Sequence, residues 1–341
     1  LTHGFVVDGL GRKMSKSQGN VVSPFDVIKD YGADILRLWV ASSDYNEDIR
    51  ISKEILMHLS EAYRKIRNTS RFILSNLYDF DPQVDFVSLR DLKKIDKWIL
   101  GKLKRKVDAV TKAYENFEFY KAHKEIYDFC NEELSMYYLD MVKGRLYTYA
   151  PNSKERRSAQ SAMYICLDTV TKLVAPILSF TAEEIWKHMP KAGKFKEAMS
   201  VHLLSWPYFD FPDESEELDK LVAMIPEVAK KLEEMRSAGK IGSSFDAQIK
   251  VLTKDQIRYN FLTSLEHELP EIFKVSAVSV ELSNELSGGA LSEENHGAFA
   301  IEVAEGQKCT RCWNYSHSVG SSVEHPLICK KCQEAIYERR T

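Results

Sequence analysis

The sequence predicts a mainly α-helical protein with small α+β parts and a four-cysteine module at its C-terminal end. Three observations carry this prediction. Apolar residues recur at helical intervals through most of residues 52–188, β-prone runs are short and confined to residues 5–7 and 248–303, and Cys309, Cys312, Cys329 and Cys332 form two Cys-x2-Cys pairs. A length of 341 residues with 44% hydrophobic content suffices for two or more cored domains. At a net charge of −3, any nucleic-acid contact must come from local basic patches. No run of 18 apolar residues occurs, so no membrane span is expected, and no secretory leader is visible. The chain opens on Leu1 without a methionine and reads as a fragment of something longer.

Taken in order, residues 1–10 read as a short hairpin, with Phe5-Val6-Val7 extended and Asp8-Gly9-Leu10-Gly11 turning. The polar loop Gly11–Asn20 follows, with Lys13 and Lys16 three residues apart and with Gly19 and Asn20 both able to take positive φ and close it. Its ammonium groups can meet a phosphate chain as point charges, although two loop lysines alone are more often simply solvated. Ser23-Pro24 starts a short helix that ends at Tyr31, with Gly32 as a left-handed cap, and a second helix runs from Ala33 to Ser43. Ser52 caps a long helix to about Tyr78, broken by Asp79-Phe80-Asp81-Pro82. Further helices are expected over Leu89–Tyr114, Phe119–Tyr147, Lys154–Val174 and from Pro176 to Trp186, together a bundle. Residues 191–216 read as irregular linker, Leu218–Ala238 as one helix, and strands near Gln248–Leu252, Val275–Leu282 and Ala298–Val303 with a helix between complete a small α+β unit.

The cysteine spacing, Cys309-x2-Cys312-x16-Cys329-x2-Cys332, is that of four thiolates around one tetrahedral zinc. Four thiolates leave no position for a metal-bound water, so the site reads as structural, one zinc per chain. The module has fewer than forty residues and little apolar content, so metal must supply its folding energy. His317 and His325 lie between the knuckles, but four spaced cysteines make a histidine ligand unneeded. Cys130 and Cys166 read as buried core thiols in a reducing, cytoplasmic setting. Two basic stripes mark the bundle: Arg64, Arg67 and Arg71 on one helix face, and Lys102, Arg105 and Lys106 on the next helix. Composition favours solvated faces for both. In the cysteine module, Arg311, Trp313, Tyr315, Lys330 and Lys331 set aromatics beside cations, as single-stranded RNA recognition requires, while packing of a mini-core explains Trp313 equally well.

A resemblance sharpens these readings. Lys13-Met14-Ser15-Lys16-Ser17-x-Gly19-Asn20, then Tyr31-Gly-Ala-Asp-Ile-Leu-Arg-Leu-Trp39, is similar to the class I aminoacyl-tRNA synthetases for isoleucine, valine, leucine and methionine. Ala175-Pro-Ile-Leu-Ser-Phe-Thr-Ala-Glu-Glu-Ile-Trp186 and Tyr138-Leu-Asp140 resemble their anticodon-binding helices, and Lys308-Cys-x-Arg-Cys-Trp-Asn-Tyr315 resembles the zinc finger that ends bacterial isoleucine-specific members. The resemblance implies the end of a class I catalytic domain at 1–50, a helical anticodon-binding domain at 51–190, a linker at 191–217, an α+β junction at 218–304 and a zinc module at 305–341. It implies that the loop closes on ATP with Mg2+, with Lys16 stabilising departing pyrophosphate, Lys13 assisting, and Ser15 and Ser17 contacting the nucleotide. It implies tRNA-Ile as partner, through Arg64, Arg67, Arg71, Arg311 and Trp313, and isoleucine as substrate with a pocket outside this chain, in a monomer without membrane association. No His-x-Gly-His signature is present, so the chain alone is expected to be inactive. A valine-specific synthetase fragment and a freestanding RNA-binding zinc adaptor are the alternatives.

Overall fold

A computed structural model describes residues 2–191, 198–209, 213, 215–283, 290–292 and 297–338. The chain runs β1 (Val6–Asp8), α1 (Pro24–Tyr31), α2 (Ala33–Ala41), β2 (Ile49–Ile51), α3 (Lys53–Asn76), α4 (Lys94–Glu115) and α5 (Phe119–Asp128). A π-helical stretch, Phe129–Tyr138, leads into α6 (Leu139–Met141), α7 (Lys143–Thr148), α8 (Lys154–Val174) and α9 (Ser179–His188). Then come α10 (Glu216–Val222), α11 (Ile225–Ser237), β3 (Ala247–Thr253), α12 (Gln256–Thr263), α13 (Leu269–Phe273), β4 (Ala277–Leu282), β5 (Ala290–Ser292), β6 (Gly297–Val303), β7 (Gln307–Lys308), β8 (Tyr315–Ser316) and α14 (Lys330–Tyr337). The mainly α architecture with small sheets is as expected. These elements form two compact units, one of residues 1–86, 99–136 and 160–213, the other of 87–98, 137–159 and 214–341.

In the first unit, β1 pairs in parallel with β2, Val7 opposite Arg50. The expected hairpin over residues 1–10 is reduced to a turn at Asp8–Gly11 and a single antiparallel bridge from Val7 to Lys13. The extended segment satisfies its backbone groups with a strand some forty residues away, which local pattern does not reveal. Val27, Ile35, Trp39, Ile49, Ile51 and Leu56 close an apolar core beneath this small sheet, and Trp39 Nε1 donates to Arg50 O at 2.9 Å. Ser52 caps α3 by accepting from Ile55 N, as the sequence indicates. Gly32 takes positive φ (93°) with ψ 159°, outside the left-handed helical region, because α2 starts at the next residue. Cys130 and Cys166 are fully buried.

The expected helix Phe119–Tyr147 is four pieces. Its middle widens to π geometry, and with Phe129 buried at its start, the buried residues Cys130, Leu134 and Tyr138 recur every four positions, wider than the 3.6 of an α-helix.

In the second unit, α4 begins at Lys94 and not at Leu89. Its free backbone N–H groups find an acceptor far along the chain: Lys94 N and Ile95 N donate to the Glu268 carboxylate at 3.3 and 2.9 Å, and Lys93 N to Ser158 Oγ at 2.9 Å. The single helix expected over Leu218–Ala238 is two, because Pro226, with no N–H to donate, opens the second. The sheet has the order β4-β3-β6-β5, with β3 parallel to β4 and antiparallel to β6. Helices α12 and α13 make the crossover that a parallel β3–β4 pair demands.

A buried polar network holds this unit together. Asp96 and Arg145, 0% and 1% exposed at their side chains, form a two-pronged pair at 2.8 and 3.0 Å, Tyr138 Oη donates to Asp96 at 2.7 Å, and Ser158 Oγ also donates to it. Arg145 Nε reaches Glu271 at 3.0 Å, and burial nevertheless pushes the Glu271 carboxyl above its ordinary range. Removing one partner strands the other charge in a dry interior. Asp96→Ala is therefore expected to lower stability by about 3–5 kcal/mol in denaturant unfolding followed by circular dichroism. A loss below about 1 kcal/mol, the worth of an exposed pair, would show that the network is not dry.

Candidate functional site

The lysine loop leaves β1 at Asp8. Lys16–Gln18 forms a single 3₁₀ turn closed by Gly19, whose φ of 64° is left-handed, whereas Asn20 closes the loop with its side chain and not with positive φ. Asn20 Oδ1 accepts from Ser15 N at 2.9 Å, and its Nδ2 donates to Asp8 Oδ2 at 3.0 Å and Lys13 O at 3.3 Å. Asp8 also accepts from Leu10 N, Arg12 N and Arg12 Nε at 3.0, 2.9 and 2.9 Å. The Asn20 amide, with the Arg12 N–H beside it, holds the Asp8 carboxyl well below the usual carboxylate range. Met14, between the lysines, packs against the Val27–Trp39 core. The result is a fixed backbone bearing Lys13 and Lys16, both exposed and without an ion pair among the described residues. Ser15 and Ser17 share a hydroxyl contact at 3.1 Å. Asp8 and Met14 are positions that hold the loop and that sequence reasoning missed. An Asp before a Gly reads locally as a turn residue, and a Met beside polar residues carries no periodic signal.

The two basic stripes separate. Arg105 pairs with Asp213 at 3.0 Å, and Lys106 with Glu125 and Glu133 at 2.7 and 3.5 Å, so the second stripe is largely neutralised within its own unit. Arg64, Arg67 and Arg71 are exposed and make no ion pair among the described residues. Arg67 and Arg71 line a groove of about 660 Å³ with Tyr63, Leu74, Phe180 and Glu184, between α3 and α9.

At the C-terminal end the four sulfur atoms of Cys309, Cys312, Cys329 and Cys332 lie within 4.8 Å of one another, with Cys312 and Cys329 at 3.7 Å. Tetrahedral zinc with bonds of about 2.3 Å sets sulfurs roughly 3.8 Å apart, so the donor set and its spacing fit that ion. Hydrogen bonds from Cys312 and Cys332 hold the Cys329 thiol well below its ordinary range. Neither His317, paired with Glu305 at 3.5 Å, nor His325, stacked near Tyr337, joins the cluster. Val319, Ile328 and Ile336 pack on the cysteines, a core too small to stand without a cross-link. Gly306, at φ 88°, passes so close to Ser316 that a Cβ would meet its carbonyl carbon at 2.6 Å.

Trp313 is 63% exposed and stands at φ 67°, set by the knuckle bonds Trp313 N to Cys309 O and Cys309 N to Asn314 O, both 2.9 Å. Its ring does not pack the mini-core. Arg311 Nη1 donates to Thr148 O, and Lys331 lies 4.8 Å over the Tyr149 ring. Both cations thus also hold the module against the end of α7. Lys308 to Asp246 and Tyr315 N to Ser276 Oγ, each 2.7 Å, fix its other side.

Comparison with known proteins matches three stretches of the chain, and Arg64, Arg67 and Arg71 lie between the first two. Residues 1–52 match the family described as tRNA synthetases class I (I, L, M and V), residues 96–251 the anticodon-binding domain of tRNA ligase, and residues 306–335 the zinc finger found in FPG and IleRS. The chain is 47% identical over 345 residues to the isoleucine–tRNA ligase of Caldanaerobacter subterraneus subsp. tengcongensis, covering 99% of this chain and 37% of that protein. It is 48% identical to the isoleucine–tRNA ligase of Syntrophotalea carbinolica, covering 99% and 36%. With that of Geobacter sulfurreducens it shares 46% identity, covering 98% and 36%. The chain therefore spans little more than a third of the length of these curated relatives. No described helix is long and apolar enough to cross a membrane.

Zinc removal should act locally. Chelation is expected to release one zinc per chain by elemental analysis and to abolish hydrogen-exchange protection over residues 306–335, while α3 and α8 keep theirs. Retained protection in the metal-free module would contradict a folding role for the ion.

Proposed function

The chain belongs to the class I aminoacyl-tRNA synthetases, on the isoleucine-specific branch, and from that premise we propose that the enzyme it helps to build activates isoleucine with ATP and transfers it to tRNA-Ile. The observation that carries this reading is the pair of unpaired ammonium groups, Lys13 and Lys16, on a backbone held rigid around them. When the carboxylate of isoleucine attacks the α-phosphorus of ATP, negative charge grows on the leaving pyrophosphate. A preorganised cation stabilises that charge without reorganising at the moment of reaction. Lys16 meets the departing pyrophosphate, Lys13 assists, and Ser15 and Ser17 donate hydroxyls to the same phosphates, with Mg2+ accompanying ATP. The isoleucine pocket lies outside this chain.

The same reading gives the helices to the tRNA. Phosphate contacts position a nucleic acid without reading its sequence, and the unpaired Arg64, Arg67 and Arg71 suit that role better than the neutralised second stripe. The exposed Trp313 offers a stacking face, and the remaining donors of Arg311 reach phosphate. Zinc, held by the four cysteines, supplies the cross-link that keeps the finger folded. The domain limits given from sequence, 1–50, 51–190, 191–217, 218–304 and 305–341, belong to the same proposal, as do a monomeric state and a cytoplasmic setting that keeps the thiols reduced.

Two measurements test it. Lys16→Ala in the whole enzyme should lower the rate of isoleucine-dependent pyrophosphate exchange about a hundredfold, or about 3 kcal/mol, and an unchanged rate would remove the lysine from the chemistry. Arg64→Glu with Arg67→Glu should weaken tRNA-Ile binding and reduce the slope of log affinity against log salt by about 2. An unchanged slope would leave these arginines as a solvated face.

A further inference from the structure

We propose that Asp8 is the positioning residue of the lysine loop: its carboxylate, paired with the Asn20 amide, sets the geometry in which Lys13 and Lys16 meet the nucleotide. The proposal rests on the nucleotide role given above to those lysines. Asp8 is 7% exposed at the end of β1, where it is paired with Ile51 of β2, so it is fixed to the sheet. Its Oδ1 receives Leu10 N and Arg12 N at the entry to the loop, and its Oδ2 receives Arg12 Nε and, from the far end, Asn20 Nδ2. One carboxylate thereby ties both ends of the Arg12–Asn20 segment. Asn20 passes the constraint inward by accepting from Ser15 N and donating to Lys13 O. Met14 seats the middle of the segment on the apolar core.

Tying a loop at both ends lets it close on a ligand as one piece, so a ligand that needs the two ammonium groups in one place does not have to order the segment between them residue by residue. The arrangement constrains backbone only. The fixed backbone sets where the two lysine side chains start, and their exposed ammonium groups are open to a ligand. The Asp8 carboxyl, lying far below its ordinary range, stays ionised throughout any enzymatic assay.

The test compares Asp8→Asn, Asn20→Ala and the exchanged pair Asp8→Asn with Asn20→Asp, all in the whole enzyme. Asp8→Asn turns an acceptor into a donor facing the Arg12 guanidinium and the Asn20 amide. It should lower kcat of isoleucine-dependent pyrophosphate exchange at least tenfold, equally at pH 6.5 and 8.5, with KM for isoleucine changed less than twofold. Deuterium uptake over residues 12–20 should rise while uptake in α3 and α8 stays unchanged. The exchanged pair restores one donor to one acceptor in the opposite sense and should regain at least threefold in kcat and part of the protection. Should Asp8→Asn loosen α3 and α8 as well, Asn20→Ala, which spares the Asp8 contacts to residues 10 and 12, carries the same kinetic and exchange prediction. Exchange by Asp8→Asn within twofold of wild type, or wild-type deuterium uptake over residues 12–20 in that variant, would overturn this proposal alone. Absence of exchange by the wild-type enzyme would overturn the nucleotide reading and this proposal with it.

Discussion

Helix α2 holds the first unit together by serving both ends of one joint. The buried carboxylate of Asp34 accepts from Phe180 N, Thr181 N and Thr181 Oγ1 at 3.3, 2.7 and 2.6 Å, and so caps α9 from another part of the chain. One turn later Arg37 donates through Nε and Nη2 to Ile177 O and Pro176 O, both at 2.8 Å, taking up carbonyls left open where α8 ends. Tyr63 of α3 completes the contact at Thr181 Oγ1, 3.0 Å away. A helix start needs an acceptor and a helix end needs a donor; residues three apart on one face supply both. The segment that carries the lysine loop is thus joined to the helices that carry Arg64, Arg67 and Arg71.

Charge in this chain is sorted into two kinds. Some groups are closed off: Asp96 with Arg145, Lys106 with its two glutamates, Asp8 with the loop backbone. Others stand open: Lys13, Lys16 and the Arg64–Arg71 face. With a near-neutral total of −3, the unpaired groups and not the global field decide where an anion is received. Lys13 and Lys16 sit on a backbone that one of the closed groups, Asp8, ties at both ends, which is the division of labour that preorganised electrostatic binding needs.

Much of this was readable from residues in line. Ala150-Pro-Asn-Ser153 before a periodic run placed α8 at Lys154–Val174, and two Cys-x2-Cys pairs placed the thiol cluster. Both are signals written within a few residues. What escaped is set by partners distant in the chain. β1 pairs with β2 and not with its neighbour, Glu268 fixes the start of α4, and the π stretch changes the period on which helix reading depends. The basic stripes looked alike in sequence, and only the acids facing them in space told them apart. Trp313 is the same case, since exposure cannot be read from an aromatic beside a cysteine.

The proposal on which the rest turns is that the helices and the zinc-dependent finger of this chain bind tRNA-Ile in preference to other tRNAs. The most direct measurement is the affinity of residues 1–341 for tRNA-Ile against the same tRNA with an exchanged anticodon, before and after zinc chelation. At least tenfold tighter binding of tRNA-Ile, with that preference reduced when zinc is withdrawn, is the predicted result. Equal affinity for the two tRNAs with zinc in place would contradict it.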